Sequence, residues 1–146
     1  MPQDIKTLKI RKNGTVKLAR EYDHTTLPSM TPGMVVQINA TTDVIERATG
    51  ITSGVIKGLL VEECTINEDQ RKLSLLADQA EVAVEQASLA SGVEFTVGGI
   101  VYHGADSKLT PTSGTGNRVG VSQSAIFSNS GSDLVMLTDE ANENVS

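Results

Sequence analysis

The 146-residue sequence has few aromatic residues and a single cysteine. It has no tryptophan, and its aromatic side chains are Tyr22, Phe95, Tyr102 and Phe127. Because aromatic rings dominate many ligand pockets and binding hot spots, their scarcity weakens the case for a small-molecule site. A lone cysteine cannot form an intrachain disulfide, so the chain has no disulfide framework. Cys64 follows the apolar run 55–61, which predicts a small buried side chain rather than a nucleophile.

Long apolar runs are also missing. The uninterrupted apolar stretches are only a few residues long, whereas a membrane-spanning helix needs roughly 20. Residues 1–4 lack the apolar core of a signal peptide. We therefore expect a soluble protein that is not exported and has no membrane partner.

Catalytic and metal-binding motifs are not recognisable. His24 and His103 lie 79 positions apart, neither has a cysteine or histidine nearby at metal-ligand spacing, and both are expected at the surface or in turns. Residues 114–116, Gly-Thr-Gly, resemble part of a phosphate loop but lack the Gly-Lys-Ser/Thr that should follow. No serine stands in a Gly-x-Ser-x-Gly motif. The sequence thus predicts no enzyme, cofactor or metal.

Charge is distributed unevenly along the chain, whose net charge is −6. Residues 1–20 carry six basic side chains and one acidic one, whereas the remainder carries six basic and 17 acidic residues. The six basic residues are Lys6, Lys9, Arg11, Lys12, Lys17 and Arg20. Such asymmetry is typical of an interaction arm or of head-to-tail subunit contacts, although two solvated charged ends would give the same pattern.

The basic segment raises the question of nucleic acid. Six clustered cations are enough for phosphate contacts, but the segment has no aromatic residue to stack on bases. The acidic remainder would also repel a polyanion. An acidic protein surface is therefore the partner that we expect, with no direct nucleic-acid binding.

Short strands and turns dominate the rest of the pattern. The chain has 15 valines, 13 glycines and 28 serines and threonines, and turn signals recur about every ten residues, as in all-β sandwiches and barrels. We predict a small all-β domain, a β-barrel or β-sandwich, over residues 21–138. Residues 1–20 form an N-terminal β-hairpin around Asn13-Gly14, or an extended arm, and residues 139–146 an acidic flexible tail.

Several local patterns give specific predictions. Runs at 34–38, 100–103, 118–123 and 133–138 are predicted strands. Residues 80–86 contain helix-forming Ala and Glu but alternate with period two, which predicts a strand with Glu81 and Glu85 facing solvent. Residues 43–48 are predicted to form a single helical turn. Gly58, within the apolar strand 55–62, predicts a bulge or a close neighbour.

From about residue 16 to residue 138, the order of these segments resembles the head decoration, or capsid cement, proteins of tailed bacteriophages. The matching segments are Val-Lys-Leu-Ala-Arg-Glu at 16–21, Thr-Pro-Gly-Met-Val-Val at 31–36, the apolar run 55–61, Ala-Glu-Val-Ala-Val-Glu at 80–85, Val-Gly-Gly-Ile-Val-Tyr at 97–102, Lys-Leu-Thr at 108–110, Gly-Asn-Arg-Val-Gly-Val-Ser at 116–122 and Gly-Ser-Asp-Leu-Val-Met-Leu at 131–137. Residues 1–15 precede the family's usual start, and segments 62–72 and 123–132 look longer than the family's.

The resemblance implies a structural virion protein that binds the outer capsid surface and cements the major capsid lattice. Its partners would be the major capsid protein and further copies of itself, usually in trimers and sometimes in dimers. It would be located on the outer capsid surface, after assembly in the host cytoplasm. The six basic side chains are the candidate capsid or subunit interface. Two other classes stay open, a virion-surface adhesion or carbohydrate-binding module and a small trimeric β-fold nucleotide hydrolase.

Overall fold

A computed structural model describes residues 6–52, 55–64, 72–104 and 106–140. Within these residues the chain forms thirteen short strands and two 3-10 helices, at Leu27–Ser29 and Gln86–Ser88. The strands are β1 (Lys9–Lys12), β2 (Lys17–Arg20), β3 (Val35–Ile38), β4 (Ile45–Arg47), β5 (Lys57–Leu59), β6 (Leu73–Leu76), β7 (Glu81–Val84), β8 (Glu94–Phe95), β9 (Ile100–His103), β10 (Leu109–Thr110), β11 (Arg118–Ser122), β12 (Ile126–Phe127) and β13 (Leu134–Thr138). The predicted all-β class is confirmed.

The largest sheet has six strands in the order β1-β7-β13-β11-β9-β10, and neighbouring strands run antiparallel. Its two faces differ in burial. On β13, Leu134, Met136 and Thr138 are buried, whereas Val135 and Leu137, which alternate with them, are only partly buried. This alternation follows from the period of two in a strand and gives the sheet an inner and an outer face.

Three smaller sheets complete the fold, with orders β4-β3-β5, β2-β6 and β8-β12. An isolated bridge between Leu60 and Leu75 joins the three-stranded sheet to the β2-β6 pair. No sheet among the described strands closes into a barrel. The architecture is consistent with a β-sandwich, the second of the two predicted alternatives.

The core is divided into two apolar clusters that share strands. The first covers the inner face of the six-stranded sheet and takes in Val35 and Leu76. The second takes in their chain neighbours Val36 and Leu75. Because consecutive strand residues point to opposite faces, β3 and β6 are buried on both sides and form a layer common to both clusters.

The predicted N-terminal hairpin is wrong, since β1 pairs with β7 and β2 pairs with β6. Asn13 and Gly14 do have the positive φ angles, 61° and 79°, that a tight turn of this kind requires. The turn instead leads the chain from one sheet to another. Asp78 holds it in place, because its Oδ2 accepts hydrogen bonds from the backbone N–H groups of Gly14 (3.0 Å) and Thr15 (3.2 Å).

Other local predictions had mixed outcomes. Residues 43–48 do not form a helical turn but contain β4, because Ile45 is fully buried and pairs with β3. The strand predicted at 80–86 is confirmed as β7, and Cys64 is buried as expected. Strand β5 pairs with β3 in regular register around Gly58, so no bulge forms there.

Candidate functional site

The six basic residues predicted as an interface lie on two different sheets. Lys9, Arg11 and Lys12 are on edge strand β1, and Lys17 and Arg20 are on β2. Lys6 precedes β1, and its backbone N–H donates to Glu63 Oε1 at 3.0 Å. The structure therefore does not gather them into one continuous basic surface.

Acidic residues of the chain itself neutralise two of the cations on β1. Lys9 Nζ lies 3.1 Å from Asp133 Oδ2 and 3.7 Å from Glu85 Oε1, and the hydrogen bond to Asp133 is the main reason that the pKa of Lys9 is raised. Arg11 Nε lies 3.4 Å from Glu81 Oε2. These contacts tie the basic edge strand to the acidic strand beside it.

On β2, Arg20 is likewise paired, with its Nε 3.0 Å from Asp43 Oδ1. Lys6, Lys12 and Lys17 form no ion pair within the described part of the chain. Of the six basic side chains recognised in the sequence, three are thus paired with carboxylates, and the other three have no such partner among the described residues.

A second surface feature is the outer face of the six-stranded sheet. Its apolar side chains, which we call the outer sheet face, are Ile100, Tyr102, Val121, Val135 and Leu137. Val121 lies directly opposite Ile100 on one neighbouring strand and Leu137 on the other. Ile100 is 38% exposed, and the other four are partly exposed.

Ion pairs flank this apolar patch on both sides. Next to Tyr102, Arg118 donates two hydrogen bonds to the Asp139 carboxylate, at 2.7 and 3.2 Å. On the other side, beyond Ala83, stands Lys9 with its carboxylate partners. Water-facing positions of antiparallel sheets usually carry polar side chains. An apolar patch with a polar rim is typical of protein–protein contact surfaces.

A buried polar cluster lies inside the molecule, formed by Lys57 on β5, His103 on β9 and Asn117 just before β11. Their exposed fractions are 4%, 0% and 2%. Lys57 Nζ donates to Gly50 O at 2.9 Å and to Asn117 Oδ1, and it lies 3.2 Å from His103 Nε2. The expectation of a surface or turn histidine is therefore wrong for His103, because its strand directs the ring inward.

Burial controls the protonation of this cluster. Burial lowers the pKa of Lys57 to about 8, and no carboxylate of the described residues forms an ion pair with it. Burial, and secondarily the charge of Lys57, lowers the pKa of His103 to about 4. At neutral pH the imidazole is uncharged, and a larger share of Lys57 is the neutral amine than of an exposed lysine.

Backbone groups orient the cluster. His103 Nδ1 faces Gly104 O at 3.4 Å, so the other ring nitrogen, Nε2, points toward Lys57. The N–H of Thr52 donates to Asn117 Oδ1 at 3.1 Å. A Cβ on Gly116 would overlap the His103 ring. Only glycine at position 116 therefore lets the chain at residue 117 approach His103 this closely.

Sequence reasoning missed this cluster, although one signal was present. Lys57 stands within the apolar run 55–61. A lysine in such a run lies at a bulge, lies on an edge strand or is a buried polar group. Its partners lie 46 and 60 positions away. Nothing local in the sequence connects them.

The described residues contain no group of three or more His, Cys, Asp or Glu side chains arranged to hold a metal ion. No helix in the described part of the chain is long and apolar enough to cross a membrane. Comparisons with family models, with curated proteins and with solved structures gave no match.

Proposed function

We propose that the chain is a structural virion protein that binds the outer surface of a tailed-phage capsid and cements the major capsid lattice. The observation that carries this proposal is the outer sheet face, five apolar side chains that are at least partly exposed on one face of the six-stranded sheet. The ordered resemblance of segments 16–138 to capsid cement proteins gives the partner. Copies of the chain associate as a homo-oligomer, with a trimer as the preferred state.

Strong attachment to a capsid can arise from many weak contacts. Burial of apolar surface contributes roughly 25 cal/mol per Å², and part of that gain is spent on lost rotational and translational freedom. A repeating lattice binds many copies, and an oligomer engages several lattice sites at once. Avidity then exceeds the affinity of any single contact.

Lys6, Lys12 and Lys17 supply the electrostatic part of the proposal. These exposed cations have no carboxylate partner in the described chain, so they are available to an acidic capsid surface. Charges at the rim of an interface mainly speed association and weaken with added salt. The paired residues Lys9, Arg11 and Arg20 contribute less, because binding a partner would require them to exchange one carboxylate for another.

The test is co-sedimentation of the purified chain with expanded, empty heads of the virus that encodes it. Val121→Glu places a charge at the centre of the outer sheet face and is expected to weaken binding at least tenfold. Ile51→Glu is the matched control, since Ile51 is 61% exposed and lies in the loop before β5. Equal binding by both variants, with folding verified by circular dichroism, would show that the outer sheet face does not bind the capsid. If the wild type does not bind heads, the proposed function is wrong.

The lysines require a separate variant. Lys12→Glu combined with Lys17→Glu is expected to slow association severalfold at low salt and to have little effect at high salt. Lys72→Glu, which changes an exposed lysine outside the basic segment, is the control. Light scattering of each variant measures the oligomeric state, so loss of assembly can be separated from loss of capsid binding.

One observation favours the carbohydrate-binding alternative. Phe127 on β12 is 57% exposed, and an exposed ring can stack on a sugar. An adhesion module would be favoured over a capsid cement by two results together. The wild type would bind glycans on an array but not phage heads, and Phe127→Ala would lose the glycan binding.

A further inference from the structure

We propose that Lys57 and Asn117 become joined by an intramolecular isopeptide bond between the lysine amine and the asparagine side-chain carbonyl carbon. The inference is independent of capsid binding, because it concerns only the buried cluster. Its basis is that the two residues, 60 positions apart in the chain, are hydrogen-bonded to each other through Nζ and Oδ1 inside the core.

The first requirement of such a reaction is a nucleophilic amine. An ammonium group has no lone pair, so lysine reacts only as the neutral amine. Lys57 is 4% exposed and has no carboxylate partner in the described chain to hold its proton. Burial thus makes the amine available at mildly alkaline pH, where an exposed lysine would remain charged.

The second requirement is an activated amide. The backbone N–H of Thr52 donates to Asn117 Oδ1 at 3.1 Å, where negative charge develops when the amine adds to the carbonyl carbon. A preorganised donor of this kind stabilises the oxyanion. Among described residues, nothing accepts a hydrogen bond from Asn117 Nδ2, so the nitrogen that has to leave is not held in place.

The third requirement is a proton carrier, which His103 provides. Its Nε2 lies 3.2 Å from Lys57 Nζ, and its Nδ1 faces a backbone carbonyl. A neutral imidazole with Nε2 unprotonated can take the proton from the attacking amine and return it to the leaving nitrogen. His103 is fully buried, so bulk water does not compete for the carbonyl carbon.

The step is balanced without any further reactant. A bond forms between Lys57 Nζ and Asn117 Cγ, and the bond between Cγ and Nδ2 breaks. The neutral amine carries two protons: one stays on the new amide nitrogen, and the other passes through His103 to Nδ2, which already carries two protons and leaves as ammonia. The products are a secondary amide and ammonia, with no oxidant, reductant or cofactor. The chain loses about 17 Da, the mass of one ammonia.

The consequence is a covalent tie between two sheets. Lys57 belongs to the three-stranded sheet, and Asn117 leads into β11 of the six-stranded sheet. Like a disulfide, the bond would restrict the unfolded chain, and the long loop that it closes makes the restriction large. We expect the melting temperature to exceed that of an uncrosslinked variant by roughly 10 °C or more.

Intact mass spectrometry of the purified, full-length chain tests the proposal. The expected mass is about 17 Da below the sequence mass, and proteolysis should release a branched peptide that joins residues 57 and 117. Full sequence mass after prolonged incubation of the folded chain at pH 8–9 would overturn it. A succinimide at Asn117 causes the same mass loss but gives no branched peptide.

Variants separate the remaining explanations. Lys57→Met removes the amine and should restore full mass, whereas a succinimide would persist in it. Asn117→Asp should lose about 18 Da, as water rather than ammonia, if the bond still forms. His103→Gln should retain the cluster but slow crosslinking at least tenfold, with a rate that rises with pH. Complete crosslinking of His103→Gln at the wild-type rate would remove His103 from the mechanism.

Discussion

A lysine ammonium inside a protein is costly unless it is paired, and the partners of Lys57 among the described residues are a carbonyl, an amide oxygen and an imidazole. These acceptors offset part of the desolvation that lowers its pKa. An apolar residue of similar length would avoid the cost altogether. Burial of Lys57 therefore costs stability that an apolar side chain would not cost, and the cluster needs a reason other than stability.

The buried imidazole predicts acid sensitivity. Burial lowers the folded-state pKa of His103 to about 4, while its value in the unfolded chain is about 6.5. Between these pH values the unfolded chain binds a proton that the folded chain does not, so stability falls as pH decreases. The loss is on the order of 2–3 kcal/mol by pH 4, measurable from urea unfolding at pH 7, 6, 5 and 4.

The control is His103→Gln, which cannot titrate in this range. We expect its stability to decrease less between pH 6.5 and 4 than that of the wild type. Parallel pH profiles for the two proteins would contradict the assignment. The effect does not require Lys57 to be charged, because burial is the larger cause of the lowered pKa.

At the scale of elements, β1 is the exposed edge of the six-stranded sheet. Edge strands invite pairing with other chains, and charged residues on them discourage it. Lys9, Arg11 and Lys12 serve this purpose on β1, and Lys9 and Arg11 also bind carboxylates next to the strand. The basic segment thus has a structural role in the folded chain whatever it binds.

The Arg11–Glu81 contact gives a prediction about this edge. Arg11→Glu brings two carboxylates together across β1 and β7, and it should destabilise the fold by about 0.5–1 kcal/mol at low salt. Combining it with Glu81→Arg should recover most of the loss. Urea midpoints of the four proteins in a double-mutant cycle measure the coupling, and a value near zero would show that the pair is incidental.

The corner between β1 and β2 gives another prediction. Asp78→Ala leaves the N–H groups of Gly14 and Thr15 without their acceptor and should cost about 1–3 kcal/mol. Asp78→Asn keeps an oxygen acceptor and should cost less. Hydrogen exchange of the Gly14 and Thr15 amides is the readout, and unchanged protection in Asp78→Ala would rule out the anchoring role.

At the scale of the whole molecule, the two core clusters share β3 and β6. One cluster cannot open without exposing a layer that the other also needs. Strand pairs such as β1–β7 and β7–β13 join residues far apart in sequence. The described fold should therefore unfold in one cooperative transition and fold slowly compared with proteins whose contacts are local.

Leu75 and Leu76 test this cooperativity, because these neighbours belong to different clusters. Leu75→Ala and Leu76→Ala should each destabilise the protein by about 2–5 kcal/mol. Each should still give a single transition, coincident by circular dichroism and calorimetry. Two separated transitions in either variant would indicate that the clusters unfold independently.

The sequence by itself determined the properties that depend on neighbouring residues. Alternation with period two placed β7, turn residues spaced the strands, and an apolar setting placed Cys64 in the interior. These predictions hold because each rests on local geometry, in which a residue's own neighbours decide which side of the strand it faces.

Tertiary structure alone decided which strands meet. Asn13-Gly14 has turn geometry, yet β1 and β2 separate, and each pairs with a strand more than 50 residues further along the chain, β7 and β6. The same long-range pairing neutralised half of the basic segment and brought Lys57, His103 and Asn117 together. Strand partners are selected by the burial that the whole chain achieves, and no local pattern carries that information.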